Sequence, residues 1–383
     1  MVFCRVLAAV FTAGIGILIA GVADVYTGTD LPLFVKVENV PDSEVVTSPG
    51  FSRSVRWFYS KARRGRSREG EGVRCHAWLY VPAPASKNED QDEDAAVGRL
   101  PPVVIMAHGM GGQKDMGLAR YAEYFAERGM AALVFDYRTF GGSDGMPRNL
   151  VDPWRHVEDY IAALDFVRGP SLSGIVDGSR VALWGTSFSG GHVLKVAAAD
   201  DVPSRVGGVL AIVSQVPHLD GRAASKRSLK QRGTAGTLKM AAATIGDILR
   251  GLLGMQARYV SLVGCKGEVS LMPLSEDGCE HYFAKHPAEY LGGWRNQVCA
   301  RVGAMVGMYS PIKALPRVKA PILFVAAEHD HLCPADTVRE AVALAPKATL
   351  SVHDKTHFDI YLGETLEAIL KDMGDHLEKY LKP

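Results

Sequence analysis

The sequence predicts an α/β fold with a mostly parallel central sheet and helices on both of its faces. Two features carry this prediction. The continuous apolar runs at 103–107 and 131–135 have the length and composition of strands buried on both faces. Helical patterns follow them at 118–128 and 157–167, and alternation of strands with helices is typical of parallel sheets with crossover helices.

The rest of the chain extends this alternation in both directions. Residues 74–81 alternate in polarity and end at Pro82, which predicts a strand. From about residue 222 to 315 the pattern is helical with loops, most clearly at 240–253, and no buried strand is expected. The fold class is therefore a sheet with a helical cap inserted between two core strands. Further strands are expected at 181–184, 206–213, 321–327 and 349–352, and an amphipathic helix at 362–381.

An almost wholly apolar segment, residues 6–23, lies near the start of the sequence. Its length fits either the core of a signal peptide or a short membrane anchor. We therefore expect a membrane-associated or secretory-pathway location, with membrane association through residues 6–23 if they are retained. The predicted organisation is a signal or anchor (1–23), an N-terminal extension (24–73), the first part of the core (74–221), the helical cap (222–315) and the second part of the core (316–383).

Composition excludes some classes of function. A formal net charge of +1 lacks the basic excess typical of nucleic-acid-binding proteins, so no nucleic-acid partner is expected. The cysteines form no C-x-x-C pair, and a structural zinc site is not expected. Three of them, Cys265, Cys279 and Cys299, fall in one region, where thiols and a disulfide bond both remain open. Nothing in the sequence indicates the oligomeric state.

The stretch 184–191 has the pattern of a nucleophile elbow. A strand leads into Gly185-Thr186-Ser187-Phe188-Ser189, and a helical pattern follows. A serine on so sharp a turn has strained backbone geometry, so its neighbours two residues away must be small. Gly185 and Ser189 satisfy that demand, although serine stands where a second glycine is usual. The alternative interpretation of this stretch is a glycine-rich loop with a helix-capping serine.

A serine nucleophile needs a base, and the base needs an orienting group. Asp330 follows the strand at 321–327, and His357 follows the strand at 349–352. The carboxyl ends of parallel strands meet at the edge where ligands bind in open α/β sheets. Ser187, Asp330 and His357 are thus the expected catalytic residues. Asp220, near the end of the preceding strand, is the rival acid.

The loop 108–112 is the expected source of one oxyanion-hole donor. Hydrolysis of an acyl bond needs two backbone N–H groups that point at the developing negative charge. Met110 N–H and Phe188 N–H are the predicted pair. A phosphate-binding loop is rejected, because neither a Gly-Lys-Ser/Thr nor a G-x-G-x-x-G spacing is present.

Histidines near the predicted edge raise the alternative of a metal site. His329 and His331 flank Asp330, and His353 and His357 are four residues apart. No His-Glu-x-x-His helix is present, and the second pair falls in a loop. We therefore expect no metal site.

Together these motifs resemble the α/β-hydrolase superfamily, and within it the dienelactone-hydrolase-like and S15-peptidase-like serine hydrolases. The resemblance covers roughly residues 74–380 and is weakest in the cap. It implies Ser187 as nucleophile, His357 as base, Asp330 as orienting acid and no cofactor. Dienelactone hydrolases use a cysteine nucleophile, so a serine shifts the expectation towards esterase, thioesterase or acyl-transfer chemistry. The motifs that carry the resemblance are 108–112, 136–138 with 141–143, 185–191, Asp330 and 357–359.

The function expected from the sequence is hydrolysis of an ester or related acyl bond in a small molecule, through an acyl-enzyme on Ser187. The alternatives are a serine peptidase, an acyl-CoA thioesterase, and a non-catalytic binding module on the same fold. Specificity would come from the cap, where Tyr282, Tyr290 and Trp294 either line an acyl pocket or pack the cap on the core.

Overall fold

The computed structural model describes residues 43–60, 72–84, 99–199, 208–265, 268–274 and 294–382. The predicted segment 6–23, Tyr282 and Tyr290 lie outside these described residues. Across the described ranges, no helix is both long enough and apolar enough to span a membrane.

A nine-stranded sheet forms the centre of the molecule, with strand order β1-β2-β3-β5-β4-β6-β7-β11-β12. The first three strands join it in antiparallel pairs, and all pairs from β5 to β12 are parallel. The predicted mostly parallel sheet is thus confirmed. Its strands are β1 (Val45–Thr47), β2 (Phe51–Ser60), β3 (Val73–Pro82), β4 (Val103–Ala107), β5 (Ala131–Phe135), β6 (Val181–Thr186), β7 (Ala211–Gln215), β11 (Ile322–Ala327) and β12 (Ala348–His353).

Helices cover both faces of this sheet, because successive side chains of a strand point to opposite faces. In β4, Ile105 belongs to the apolar cluster that contains α2 and α3, whereas Met106 belongs to the cluster that contains α1 and α6. Every residue of β4 is buried, as its continuous apolar sequence predicts. The helices are α1 (Leu118–Glu127), α2 (Pro153–Arg168), α3 (Phe188–Ala197), α4 (Gly221–Leu252), α5 (Ala335–Leu344) and α6 (Gly363–Leu381).

The cap lies between β7 and β11, where the insertion is predicted, but it is not wholly helical. Its long helix α4 is kinked at Gly233, and a three-stranded sheet of order β10-β8-β9 follows. The prediction of no buried strand here is wrong, since both residues of β10 are buried. These strands are only two to six residues long, so they lack the continuous apolar run that marks a core strand. They are β8 (Tyr259–Gly264), β9 (Ser270–Pro273) and β10 (Val298–Cys299).

The structure gives the bonding state of two of the cysteines in this region. Cys265 is disulfide-bonded. Cys299 is a free, buried thiol, so it takes no part in the bridge that the sequence leaves open.

A buried ion pair fastens α4 to the rest of the cap. The fully buried carboxylate of Asp247 accepts hydrogen bonds from the Arg301 side chain at 2.8 and 3.0 Å. It also accepts from the backbone N–H groups of Arg301 (2.9 Å) and Arg258 (2.7 Å). Four donors thus replace the water that Asp247 loses on burial.

Replacing Asp247 by alanine should destabilise the protein strongly, because Arg301 would keep a buried charge without its partner. We expect Asp247→Ala to lower the free energy of unfolding by about 3–5 kcal/mol, measured by equilibrium urea unfolding. The matched control is Asp336→Ala, which removes an exposed carboxylate paired with Arg339 and should leave stability nearly unchanged. Equal stabilities of the two variants would contradict the proposed role of Asp247.

Candidate active site

Ser187 sits on a strained turn between β6 and α3. Its backbone has φ 56° and ψ −118°, outside the ordinary regions for a residue with a side chain. A Cβ on Gly185 would lie 2.4 Å from the Ser189 carbonyl oxygen, so this turn requires glycine two residues before the serine. Ser189 is tolerated two residues after it, because its hydroxyl is 2.7 Å from the Tyr160 hydroxyl. The predicted elbow geometry is therefore present.

Two hydrogen bonds connect Ser187 through His357 to Asp330. His357 Nε2 lies 3.2 Å from Ser187 Oγ, and His357 Nδ1 lies 2.6 Å from Asp330 Oδ2. The other oxygen, Asp330 Oδ1, accepts the backbone N–H groups of Leu332 (2.8 Å) and Cys333 (2.7 Å). These contacts fix the orientation of the buried carboxylate. The structure thus brings together the three side chains that the sequence singles out from strands far apart in the chain.

The rival acid does not join this group. Asp220 is the N-cap of α4 and accepts hydrogen bonds from the backbone of Arg222 and Ala223 and from the Ser310 hydroxyl. These contacts also hold the pKa of Asp220 below its usual value, against the effect of partial burial. Asp220 is therefore a helix cap.

Two of the other histidines near this sheet edge have partners away from Ser187. His329 Nε2 lies 2.6 Å from the exposed carboxylate of Asp354, and His353 Nε2 lies 3.0 Å from Ser351 Oγ. His331 lines the cavity above Ser187.

One group of side chains has the spacing of metal ligands among the described residues: Asp330, Cys333 and His357. Its chemistry does not suit a metal ion. Asp330 and His357 are already hydrogen-bonded to each other, and burial raises the pKa of the Cys333 thiol well above its usual value. Metal ligation needs the thiolate, so this donor set does not fit a metal.

The loop 108–112 passes directly over the serine. A Cβ on Gly109 would lie 3.1 Å from Ser187 Cβ and 3.6 Å from its Oγ. Met110 lines the same cavity as Ser187 and Phe188, and Phe188 is the first residue of α3. Both predicted oxyanion donors thus belong to residues beside Ser187. Trp294 Nε1 donates a hydrogen bond to the Gly111 carbonyl (2.8 Å), which makes Trp294 a packing contact between the cap and this loop.

A buried ion pair that the sequence analysis missed supports this loop. The Lys114 ammonium lies 2.5 Å from Asp136 Oδ2, and the backbone N–H groups of Lys114 (2.7 Å) and Gly142 (2.9 Å) also donate to Asp136. Burial alone would raise the pKa of Asp136, but Lys114 and these hydrogen bonds hold it below the usual value. Asp136 thereby connects the chain just after the loop 108–112 to the glycine turn that follows β5.

A cavity of about 390 Å³ opens above Ser187 between the core and α4. Its wall is mainly apolar and includes Met240, Leu271 and Met272. Arg227 and Arg232 supply the charged part, and their guanidinium groups donate to backbone carbonyls of Leu332 and of Ser270 and Leu271. The cavity can therefore accept an apolar chain whose reacting end lies at Ser187.

Comparisons with known proteins agree with the observed fold. The family model described as serine aminopeptidase, S33, matches residues 99–358. The quorum-quenching protein AidA of Acinetobacter baumannii is 36% identical over 278 residues, which cover 73% of this chain and 86% of AidA. The thiohydrolase aneE of Aspergillus aculeatus is 26% identical over 275 residues, 70% of this chain and 83% of aneE. The structure of DcsB with a substrate analogue superposes with a TM-score of 0.66 at 22% identity, covering 88% of this chain and all of DcsB.

Removing the Lys114 charge should destabilise the protein in a pH-dependent way. In the wild type, ionised Asp136 stabilises the fold above its unfolded pKa of 3.8, and this contribution is lost as pH falls through the lowered pKa. In Lys114→Met, burial would dominate and raise that pKa, so the ionised carboxylate would become unfavourable at neutral pH. The loss in free energy of unfolding should be about 3–5 kcal/mol at pH 7 and smaller at pH 4, by urea unfolding.

The control for this variant is Lys371→Met, which removes an exposed lysine paired with Asp375. It should match the wild type at both pH values. A Lys114→Met loss that is the same at pH 4 and pH 7 would show that the ion pair does not set the pKa of Asp136.

Proposed function

Because the chain belongs to the serine aminopeptidase (S33) family and is a hydrolase of α/β-hydrolase fold, we propose that it cleaves an ester or related acyl bond through an acyl-enzyme on Ser187. The observation that carries the proposal is the hydrogen-bonded series Ser187–His357–Asp330 at the floor of an apolar cavity. Membership in the superfamily confirms the broad resemblance found in the sequence. The narrower dienelactone-hydrolase-like or S15-peptidase-like branch stays a prediction.

In the proposed reaction the same residues act twice, first in forming the acyl-enzyme and then in hydrolysing it. Ser187 Oγ attacks the substrate carbonyl carbon while His357 Nε2 accepts its proton, and Asp330 stabilises the resulting imidazolium. The Met110 and Phe188 N–H groups donate to the oxyanion of the tetrahedral intermediate. His357 returns the proton to the leaving group as the bond to the carbonyl breaks. Water then attacks the acyl-enzyme by the same route and releases the acid.

The cavity wall argues against an aminopeptidase within this family. A substrate with a free α-ammonium group needs a nearby carboxylate to replace its hydration. Among the described residues that line the cavity there is no Asp or Glu, whereas Arg227 and Arg232 are both present. A neutral or anionic acyl compound fits this wall better than a peptide N-terminus.

A thioester is the second candidate substrate. Relatives named thiohydrolases from Aspergillus aculeatus and Arthrinium phaeospermum align with about 70% of this chain, and serine attack on a thioester uses the same groups. Thioesters therefore belong beside esters in a substrate screen. Since AidA is named a quorum-quenching protein, quorum-sensing signals that contain an ester or related acyl bond belong there as well.

The cellular location is also a proposal. We propose that the chain enters an oxidising compartment, through the predicted signal or anchor at residues 1–23. The disulfide bond of Cys265 supports this location, because such bonds are rare in reducing compartments.

Substitution at the proposed triad should abolish acyl-enzyme formation without unfolding the protein. Wild type should react with a fluorophosphonate probe and Ser187→Ala should not, because the probe forms its bond to an activated serine. Asp330→Asn should reduce kcat/KM for a short ester by about 10⁴-fold, since His357 would lose its orienting carboxylate. The control Asp220→Asn changes the rival acid and should keep activity within a few-fold. Folded wild type that fails to react with the probe would favour the binding-module alternative.

Narrowing the cavity should change the preferred acyl length. Ala241 and its neighbour Ala242 are both exposed on α4, but Ala241 lines the cavity and Ala242 lies outside its wall. We expect Ala241→Trp to lower kcat/KM for esters of long acyl chains by about tenfold or more relative to acetate, because the indole would occupy acyl space. Ala242→Trp should leave the ratio of long-chain to acetyl activity unchanged. The same ratio in both variants would place the acyl chain elsewhere.

A further inference from the structure

The outer face of α4 exposes a row of large apolar side chains. Leu238, Ile245, Leu249 and Leu252 are spaced by seven, four and three residues, which places them on one side of the helix after the Gly233 kink. Leu253 follows at the helix end. Their exposed fractions lie between 48% and 73%. We refer to these five residues as the cap patch.

This concentration is unusual for the molecule. Half of the exposed large apolar side chains in the described part of the chain, seven of fourteen, fall between Leu229 and Met255. Soluble proteins commonly scatter such residues singly, and a contiguous group marks an interaction surface.

Charge identifies the kind of surface that fits the patch. The sequence of α4 contains seven Lys or Arg residues and one acidic residue, Asp247, which is buried against Arg301. The whole chain has a net charge of only +1, so this helix holds a strong local excess of positive charge. Of its exposed basic side chains, Lys239 lies in the same half of α4 as the cap patch, and the others precede the Gly233 kink. A helix with exposed basic side chains and exposed leucines has the features of one that lies in the surface of an anionic membrane. The exposed basic side chains are Arg222, Lys226, Lys230 and Lys239.

The same charge argues against a second copy of the chain as the occupant. A symmetric dimer through the cap patch would bring two basic helices together, at a cost in electrostatic repulsion. An anionic lipid surface instead attracts these charges while the leucines enter its apolar layer.

The patch also borders the cavity that contains Ser187. Ile245 is both a member of the cap patch and part of the cavity wall, and exposed Leu229 lines that wall from the other half of α4. The cap patch and the cavity above the proposed nucleophile thus share an apolar side chain, Ile245.

We propose that the cap patch docks on an anionic lipid surface and that the acyl substrate reaches Ser187 from that surface. The docking step stands on the exposed leucines and the charge of α4. The substrate route rests on the proposed hydrolase function.

Hydrogen–deuterium exchange of the full chain tests the docking directly. Vesicles of phosphatidylcholine with phosphatidylglycerol should slow exchange in peptides covering residues 234–255, whereas phosphatidylcholine vesicles alone should slow it far less. The readout distinguishes this contact from one made by residues 6–23. Vesicle binding that leaves exchange at 234–255 unchanged would overturn the proposal.

A double variant tests which side chains make the contact. Leu238→Asp with Leu249→Asp should weaken vesicle binding through α4 by about tenfold or more and remove the protection, because two apolar side chains would no longer enter the lipid. Neither residue lines the cavity, so hydrolysis of a short soluble ester should persist. The matched control Leu344→Asp replaces an exposed leucine on α5 and should bind vesicles as wild type does.

The remaining outcomes separate the docking from the hydrolase function. Protection at 234–255 that rises with protein concentration in the absence of vesicles would assign the patch to a dimer and overturn lipid docking. Loss of soluble-ester hydrolysis in Ser187→Ala, together with unchanged vesicle protection, would support both proposals independently. A wild type that binds vesicles through α4 but hydrolyses no ester would overturn the hydrolase function and leave the docking in place.

Discussion

The strained backbone of Ser187 is the constraint on which the surrounding structure depends. A residue at φ 56° and ψ −118° persists only where its neighbours fix it. The Ser187 N–H donates to the Gln215 carbonyl at 2.8 Å, and the Ser187 carbonyl accepts the His218 N–H at 2.8 Å. Both partners lie at or just after the end of β7, so the register of the parallel sheet holds the turn in place. This turn requires glycine at position 185, because any side chain there would collide with the Ser189 carbonyl.

The two buried carboxylates near this turn are each satisfied by local donors. Asp136 is satisfied by Lys114 and two backbone N–H groups, and Asp330 by His357 and two others. Behind Phe188, burial lowers the pKa of His218 to about 4, so its ring is neutral at pH 7. A neutral His218 adds no positive charge to the wall of the cavity that contains Ser187. These fixed partners hold the two carboxylates, and through Asp330 the His357 ring, in one orientation before a substrate binds.

Much of the core and the candidate triad follows from local sequence, because each depends on a short pattern. Short local patterns predict the strand at 103–107, the glycine two residues before Ser187, and the order of Asp330 and His357. Other features depend on residues that only the fold brings together. Lys114 and Asp136 are 22 positions apart, and the role of Asp220 as a helix cap became clear only from its contacts with α4. The cap strands were missed because segments of two to six residues carry little periodicity.

The cap helix α4 has apolar side chains in the wall of the cavity and also apolar side chains exposed to solvent. Buried Met240 lies in the wall above Ser187, Leu238 and Leu249 are exposed on another side of the helix, and Ile245 borders both regions. Because apolar side chains on more than one side of a helix do not define a single rotation by burial alone, another contact has to fix that rotation. The buried pair of Asp247 and Arg301 supplies that fixation, since it holds one edge of the helix against the cap. The inner face can therefore define the cavity while the outer face remains available to a surface outside the molecule.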